Sequence, residues 1–348
     1  MALQGSGQIS FGQISAEFGM PSGKNLGAYR VSETYGAMSN IPLDPGIPQS
    51  GEIKFSDFHG KQLNVVVNYY DGGEGRRVLA RNRYNNGPGN GRVDVVGSKS
   101  GISKSKPSNS GGSRVIIHVN KRLGSEYDGS RGMKCALRTG SWDSGTNLDL
   151  YIGNNGVIAG ASGAGGKGGN RSGGPQNGKR GSSGLGVQYP LDITNYGFIA
   201  GGGGGGGGGS GAKKDAVSRT REYRRCGWWC EKRARNRRKR RRRVGGGGGG
   251  GGQGLPGASG GSGGGDGGSR GNRGDFNGPG GGGGGGSNNR GGPNGRSGGR
   301  GGSWGQDGSN GDANGGHKGR SIVIEGGGSV NYVVQGTLYG PTVNHPVF

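Results

Sequence analysis

Cys226-Gly-Trp-Trp-Cys230 is the stretch whose residue types invite chemistry first. Two thiols three residues apart could hold half of a zinc site. Zinc needs two more ligands, and a second cysteine pair is absent while His317 and His345 lie far along the chain. A reversible disulfide between Cys226 and Cys230 is the alternative, suited to oxidising surroundings. Trp228 and Trp229 either pack against neighbouring chain or form an aromatic platform for a sugar ring or lipid head. Lys232–Arg243, KRARNRRKRRRR, has the composition of a nucleic-acid segment. No recognition-motif signature or zinc-knuckle spacing accompanies it, so nucleic acid is a weak expectation. A solvated loop, or a contact with phosphates on an anionic surface, stays open beside it.

The remaining chemistry is thin. Four histidines, His59, His118, His317 and His345, sit in unlike contexts, and no carboxylates stand out as a pair. Gly-x-Gly-x-x-Gly patterns recur by composition alone. Asp/Asn/Gly loops such as GDFNG are turn formers before they are calcium ligands. Cys135 lies in an apolar run and reads as a core thiol. The expectation is no enzyme, no cofactor and no metal.

The elements that must position these residues are unusual. Glycine supplies 96 of 348 residues, and only 26% are hydrophobic, so one conventional core spanning the chain is excluded. Collagen needs strict Gly-X-Y and abundant proline; here long pure-glycine runs accompany 13 Pro. The net charge is +24, which favours anionic partners. In 213–243, sixteen Lys and Arg face only Asp215, Glu222 and Glu231, so more than half of that charge sits in one insert. The start, MALQGSGQISFG, lacks the basic and apolar regions of a signal peptide, and no apolar run approaches a membrane span. Synthesis in a cytoplasm without export by that route is expected.

Three regions are expected. Residues 1–61 carry a repeat, Ser-Gly-x-Ile-x-Phe, at Ser6 and Ser50. Ile9, Phe11, Ile53 and Phe55 alternate with polar residues as at a strand edge, with a capped turn after each copy. The segment reads as an arm that docks on a partner protein through Ile9, Phe11, Ile14, Phe18, Ile53, Phe55 and Phe58. Residues 62–160 hold β-rich runs and read as a small all-β domain, a sandwich or single sheet. Residues 161–348 are glycine-rich, with the basic insert 213–243 and a β segment at 320–348.

Asn-x-Gly-φ-Ile-Ala-Gly occurs at 154–160 and at 195–201, each copy running into glycine, with a weaker echo in RSIVIEGGGSVNYVVQGTLYG. Such segments look like a base from which glycine strands leave and to which they return. The pure runs 201–209, 245–252 and 280–286 are of matched length. A slack tether has no need of matching. Polyglycine in the polyproline-II form rises about 3.1 Å per residue with three residues per turn, and such rods can touch side by side. The predicted fold class is mainly β: a docking arm, a small all-β domain, then a bundle of polyglycine-II rods with short β segments.

The opening MALQGSGQISFGQISAEFG and GIPQSGEIKFSDFHGK resemble the N-termini of tailed-phage virion proteins, marine and cyanobacterial phages above all. The remainder is similar to phage tail-fibre and receptor-binding proteins, in which NxGxIxG segments precede polyglycine and a short β segment ends the chain. The resemblance implies an adhesin of the virion tail, made in the host cytoplasm and acting at the host exterior. Its partners would be other tail or baseplate proteins, with a homotrimer as one assembly, and a host glycan, lipopolysaccharide or outer-membrane protein. Loops rich in Arg, Trp and Tyr suit such contacts, and the candidates are Trp228, Trp229, Tyr223, Arg224, Arg225, Trp304 and Phe276. The basic insert departs from the family pattern. A structural baseplate or connector protein, and a basic nucleic-acid binder, are the competing expectations.

Overall fold

The computed structural model describes residues 2–21, 25–36, 38–69, 78–79, 92–102, 104–125, 134–170, 173–212, 221–226, 230–235, 244–265, 267–287 and 293–345. Helix α1 (Phe11–Phe18) opens the chain, and the hairpin β1 (Ser32–Tyr35) and β2 (Met38–Pro42) follows. Strands β3 (Asn64–Tyr69), β4 (Val78–Leu79) and β5 (Arg92–Val95) come next. The chain then repeats one path: β6 (Arg114–Val119), β7 (Arg122–Gly124) and β8 (Cys135–Arg138); β9 (Asn147–Ile152), β10 (Val157–Ala159) and β11 (Ser183–Val187). A third pass begins with β12 (Leu191–Asn195) and β13 (Phe198–Ala200). After the hairpin β14 (Arg221–Cys226) and β15 (Cys230–Arg235) it closes with β16 (Ile322–Glu325). The last pass is β17 (Val330–Val334), β18 (Thr337–Tyr339) and β19 (Thr342–His345).

The first, second and third strands of each pass fall in three separate sheets, ordered β17-β12-β9-β6-β3-β5, β18-β13-β10-β7 and β19-β16-β11-β8-β4. Every pairing between passes is parallel. The chain therefore winds as a three-sided β-solenoid, in which the inward side chains of each turn pack across the interior and against the turns above and below. The column Val115, Leu148, Leu191 on one side meets Leu123, Ile158, Ile199 and Leu137, Leu185, Ile322 on the others. Burying each such side chain contributes about 1.5–3 kcal/mol. The sandwich expectation is corrected: very short strands turn corners into three parallel sheets that close around one core, in place of two sheets packed face to face. The expected boundary at 160 also cuts this body, since β11 to β13 and β16 to β19 belong to its sheets.

Residues 1–61 are packed within the chain. Ser10 and Gln13 form a reciprocal capping box that turns the chain into α1 at Phe11. The expected strand edge therefore becomes a helix start, and the second copy similarly enters a 3-10 turn at Phe55–Phe58. Ile14, Phe18, Tyr29 and Phe58 have no exposed surface and Ile9 is 8% exposed; with Val66 and Ile116 they form a second core on the outward face of the β3-β6-β9 sheet. Edge-to-face pairs among Phe18, Tyr29 and Phe58, with centroids 5.5–6.1 Å apart, fix it. Glu17 accepts a bond from the Leu63 amide at 2.9 Å. These docking candidates are thus spent inside the molecule. Phe11 and Ile53 pack at the rim of this core, and Phe55 is 42% exposed.

The glycine segments leave the solenoid at one corner, 160–182 between β10 and β11 and 201–321 between β13 and β16. Their backbone groups bond between segments and not within a regular strand ladder. All nine amides of 201–209 donate to a neighbouring segment. Their direction recurs every third residue. Gly202, Gly205 and Gly208 donate to Ser182, Lys179 and Gln176, while Gly203, Gly206 and Gly209 donate to Gln253, Gly250 and Gly247. Gly204 and Gly207 donate to Gln306 and Ser309. Carbonyls of the same run accept from Gly163, Gly166 and Gly169, from Gly299 and Gly302, and from Gly316 and Gly319. One run thus touches six neighbours. The 246–252 amides are likewise all bonded. Buried backbone polar groups must be paired, and here backbone alone pairs them.

Candidate functional site

The segments run back and forth between two ends. The near end lies on the solenoid. There Leu255 packs with Val157, Ala159 and Ala200, and Phe198, Phe276 and Trp304 close over them. Phe198 contacts Phe276, Trp304 and Tyr339 with centroids 5.6–6.1 Å apart, and the Arg122 guanidinium lies 3.9 Å over the Phe276 ring. Phe276 and Trp304 therefore lie between the glycine segments and the solenoid. Large rings suit the seam because the glycine rods supply no side chains of their own to fill it.

The far end is where the chain turns back five times. The returns are Asn170–Gly174, 212–244, 265–268, Ser287–Pro293 and Asn310–Asn314. Short local bonds close two of them: Asn170 exchanges bonds of 2.9 Å with Gly173, and the Gly311 amide donates to Ala313 at 3.0 Å. Gly267, at φ 95°, turns a third with a conformation L side chains rarely adopt. A network then ties three segments together. Asp312 accepts from the Ser210 amide and hydroxyl, both at 2.7 Å, and pairs with Arg296 at 2.6 Å. Partial burial pushes the Asp312 carboxyl up, but the Ser210 bonds and then Arg296 outweigh it, so its pKa lies below the usual carboxylate value.

The long insert leaves and re-enters at this far end through an antiparallel bridge, Ala212 to Val244, with amide-carbonyl bonds of 3.0 and 3.3 Å. Tyr223, Arg224 and Arg225 lie in β14, and Cys226 stands opposite Cys230 in the β14-β15 register. Trp228 and Trp229 lie outside the described residues. The structure thus brings Tyr223, Arg224, Arg225 and both cysteines to one hairpin and sends Phe276 and Trp304 to the opposite end.

Away from the rods, Arg114 forms a bidentate pair with Asp149 at 2.6 and 3.1 Å in a shallow polar cleft of about 540 Å³ beside Asp44 and Asp192. Asp44 is committed to the Gly46 and Gln62 amides. Among the described residues no group of three or more His, Cys, Asp or Glu is placed to hold a metal. Cys135 is buried, and desolvation raises its thiol to about 11, outside the range of a reactive thiolate. Sequence reasoning missed His118. It is buried under the β1-β2 turn, with Nδ1 2.8 Å from Asn68 Oδ1, and desolvation lowers its pKa to about 4. No sequence signal marked it, because its burial depends on the arm folding back.

Residues 93–227 match the family model described as phage tail fibre adhesin Gp38. A comparison with curated proteins found no match. Among solved structures, the gp37-gp38 adhesin tip complex of the bacteriophage S16 long tail fiber is similar at 20% identity, over 84% of this chain and 88% of that one, with a TM-score of 0.37. The resemblance to phage tail-fibre proteins read from the sequence is thus met over residues 93–227, where this chain is similar to the phage tail fibre adhesins.

Proposed function

We propose that the chain attaches the virion to a host cell through the five returns at the far end of a polyglycine-II rod bundle, carried on the side of a β-solenoid. The observation that carries this reading is that the segments flanking all five returns, among them Ala212 and Val244 on either side of the basic insert, end opposite the solenoid. The recurrence of hydrogen-bond direction every third residue supports the polyglycine-II assignment, because that helix has three residues per turn. Rods bonded on every side are rigid, so ordering the scaffold consumes no affinity at binding. The sixteen Lys and Arg of the insert would draw the tip to an anionic envelope, an attraction that weakens with salt. Lipopolysaccharide, another surface glycan or an outer-membrane protein is the receptor class, and a tail-fibre protein is the partner at the other end. No catalytic role is assigned.

Excising 213–243 tests the reading. The insert begins and ends at the Ala212–Val244 bridge, so a short turn such as Asn-Gly in its place should leave folding intact. Adsorption of the purified chain to susceptible cells should fall and lose part of its salt dependence. Exchange of the other four returns should abolish adsorption or redirect it. Undiminished adsorption after all five changes would refute the tip as the binding surface.

A further inference from the structure

The glycine segment 280–286 lies at the outside of its group and bonds to three neighbours. Gly280, Gly283 and Gly286 donate to Gly251, Gly248 and Gly245. Ser269 and Asn272 donate to Gly284 and Gly281, and Gly295, Gly298 and Gly301 donate to Gly286, Gly283 and Gly280. The amides of Gly281, Gly282, Gly284 and Gly285 have no partner among the described residues. Gly282 and Gly284 are exposed, and Gly281 and Gly285 are half-buried. These free donors come in pairs, one pair per three-residue turn, about 9 Å apart at the polyproline-II rise.

Two of these glycines have no packing reason within the chain. A Cβ at Gly281 would meet only Asn272 Nδ2 at 3.7 Å, and one at Gly284 only Ser269 Oγ at 3.5 Å. Neither has a positive φ. Glycine at such a place forgoes stability that alanine would return. The adjoining outer segments do carry exposed side chains: Ser259 and Ser262, Arg270 and Arg273, Ser297 and Arg300. A bare backbone is what close approach of a ligand requires.

The surroundings specify the ligand. The carbonyls of Gly280, Gly281, Gly283, Gly284 and Gly286 already accept bonds, which leaves those of Gly282 and Gly285. Four free donors therefore face two free acceptors. The three adjacent segments 268–274, 280–286 and 295–302 carry Arg270, Arg273, Arg296 and Arg300 and no Asp or Glu. Arg296 is paired with Asp312, but Arg273 and Arg300 have no ion partner among the described residues. Excess donors beside unpaired guanidinium groups suit an acceptor-rich anion.

We propose that segment 280–286 is a lateral binding site for a linear acidic polysaccharide, a uronate polymer in chemical class. Its carboxylates and ring oxygens accept from the paired amides, its sugar rings lie flat on the bare glycine, and Arg300 meets a carboxylate at the edge. A straight segment repeating every three residues matches an extended polymer, not a compact ligand. A second copy of the chain fits less well. Its own 280–286 would bring the same excess of donors and four more arginines to face these. The site is separate from the five returns and does not depend on what they bind.

Amide exchange over 280–286 in the purified full chain is the test, because a local reading is blind to polyanions held by the basic insert. The probe is a linear oligogalacturonate long enough to span the segment. The comparisons are a neutral galactan oligomer and a single-stranded oligonucleotide of similar length. Protected amides in the segment should rise from three, those of Gly280, Gly283 and Gly286, towards all seven with the uronate alone. A Gly281→Gln, Gly284→Gln variant fills the bare surface where there is room for a side chain, so it should melt as the wild type does. Half-protection of Gly282 and Gly285 should then need roughly tenfold more uronate, the loss of about one charge-assisted bond. Unchanged exchange with the uronate would overturn the proposal, a result that needs no variant to fold. So would equal protection by the neutral oligomer or the oligonucleotide, or undiminished protection in the variant. Protection that rises with protein concentration and no probe would assign the surface to a second copy and overturn it too. No cell enters the assay, so failure here leaves the tip reading standing, and failure of the tip leaves this site.

Discussion

A single added methyl should destabilise the glycine segments at one glycine and pass unnoticed at another in a run of the same composition. Gly206 donates to Gly250 and accepts from Gly166, both at 2.8 Å. A Cβ there would lie 2.1 Å from the Gly299 carbonyl oxygen, against a floor of 3.0 Å for real contacts, so the two rods must separate by the better part of an ångström. Three bonds join those rods: Gly299 to Gly207 and Gly302 to Gly204 at 2.8 Å, and Arg296 to Ser210 at 3.0 Å. Stretching them forfeits about 0.5–1.5 kcal/mol each, roughly 3 kcal/mol in all. Alanine's stiffer unfolded chain returns about 0.4–1 kcal/mol. Gly206→Ala should therefore destabilise by about 2 kcal/mol, lowering the melting temperature by roughly 4–8 °C for a body of this size. Gly284 is the control. It is exposed at the bundle surface, and its Cβ would meet only Ser269 Oγ at 3.5 Å. Gly284→Ala should melt within about a degree of wild type. Thermal melting followed by calorimetry reads both. Equal melting temperatures for the two variants would refute the claim that the 201–209 run is glycine because six backbones surround it.

Amide hydrogen exchange should show the same distinction without mutation: every residue of 201–209 and 246–252 protected, but in the 280–286 run chiefly Gly280, Gly283 and Gly286, whose amides donate to Gly251, Gly248 and Gly245; uniform protection or uniform exposure of that last run would contradict the packing. Acid should loosen residues 1–61 from the solenoid. His118 titrates near 4 when folded against 6.5 unfolded, so the unfolded chain takes up the proton first and stability falls as pH drops from 6.5 to 4, by about 3 kcal/mol in total. His118→Gln should flatten that part of the pH profile of melting, and an unchanged slope would exclude His118 as its cause. The opposed register of Cys226 and Cys230 leads us to expect a disulfide in virion-borne chain. Directly opposed residues stand about 4.5–5.5 Å apart at Cα, inside the span a disulfide accepts. Intact mass before and after reduction should differ by two hydrogens, and equal masses would show free thiols.

The reach of the sequence was set by which forces act locally. The turns after each Ser-Gly-x-Ile-x-Phe copy were legible, because capping is a matter of neighbours such as Ser10 and Gln13. That the arm folds back on its own sheet was not, since nothing in Ile14 or Phe18 states whether the surface they cover belongs to this chain or another. The paired strings at 154–160 and 195–201 were legible as a repeated base, and in the fold they lie side by side in register, Val157 against Phe198 and Ala159 against Ala200. The repeat in fact reaches further back: Leu148-Asp149-Leu150 and Leu191-Asp192-Ile193 also stack, Asp149 on Asp192. Two strand strings recurring in the same order around a corner are the mark of a solenoid rather than a sandwich, and reading only the second string hid it.

The glycine runs taught the opposite lesson, that like sequences need not have like reasons. The 201–209 and 245–252 runs are interior, and at Gly206 and Gly249 a Cβ would strike a carbonyl oxygen at 2.1 and 1.9 Å. In the 280–286 run, Gly281 and Gly284 have room for a side chain. Matched length is what segments that cross the same slab require, because they need the same number of residues. Rank within the bundle could not be read from length or composition. It depends on how many neighbours a rod acquires, and that number is decided by segments more than a hundred residues away, such as Gly316 and Gly319 against Gly205 and Gly202.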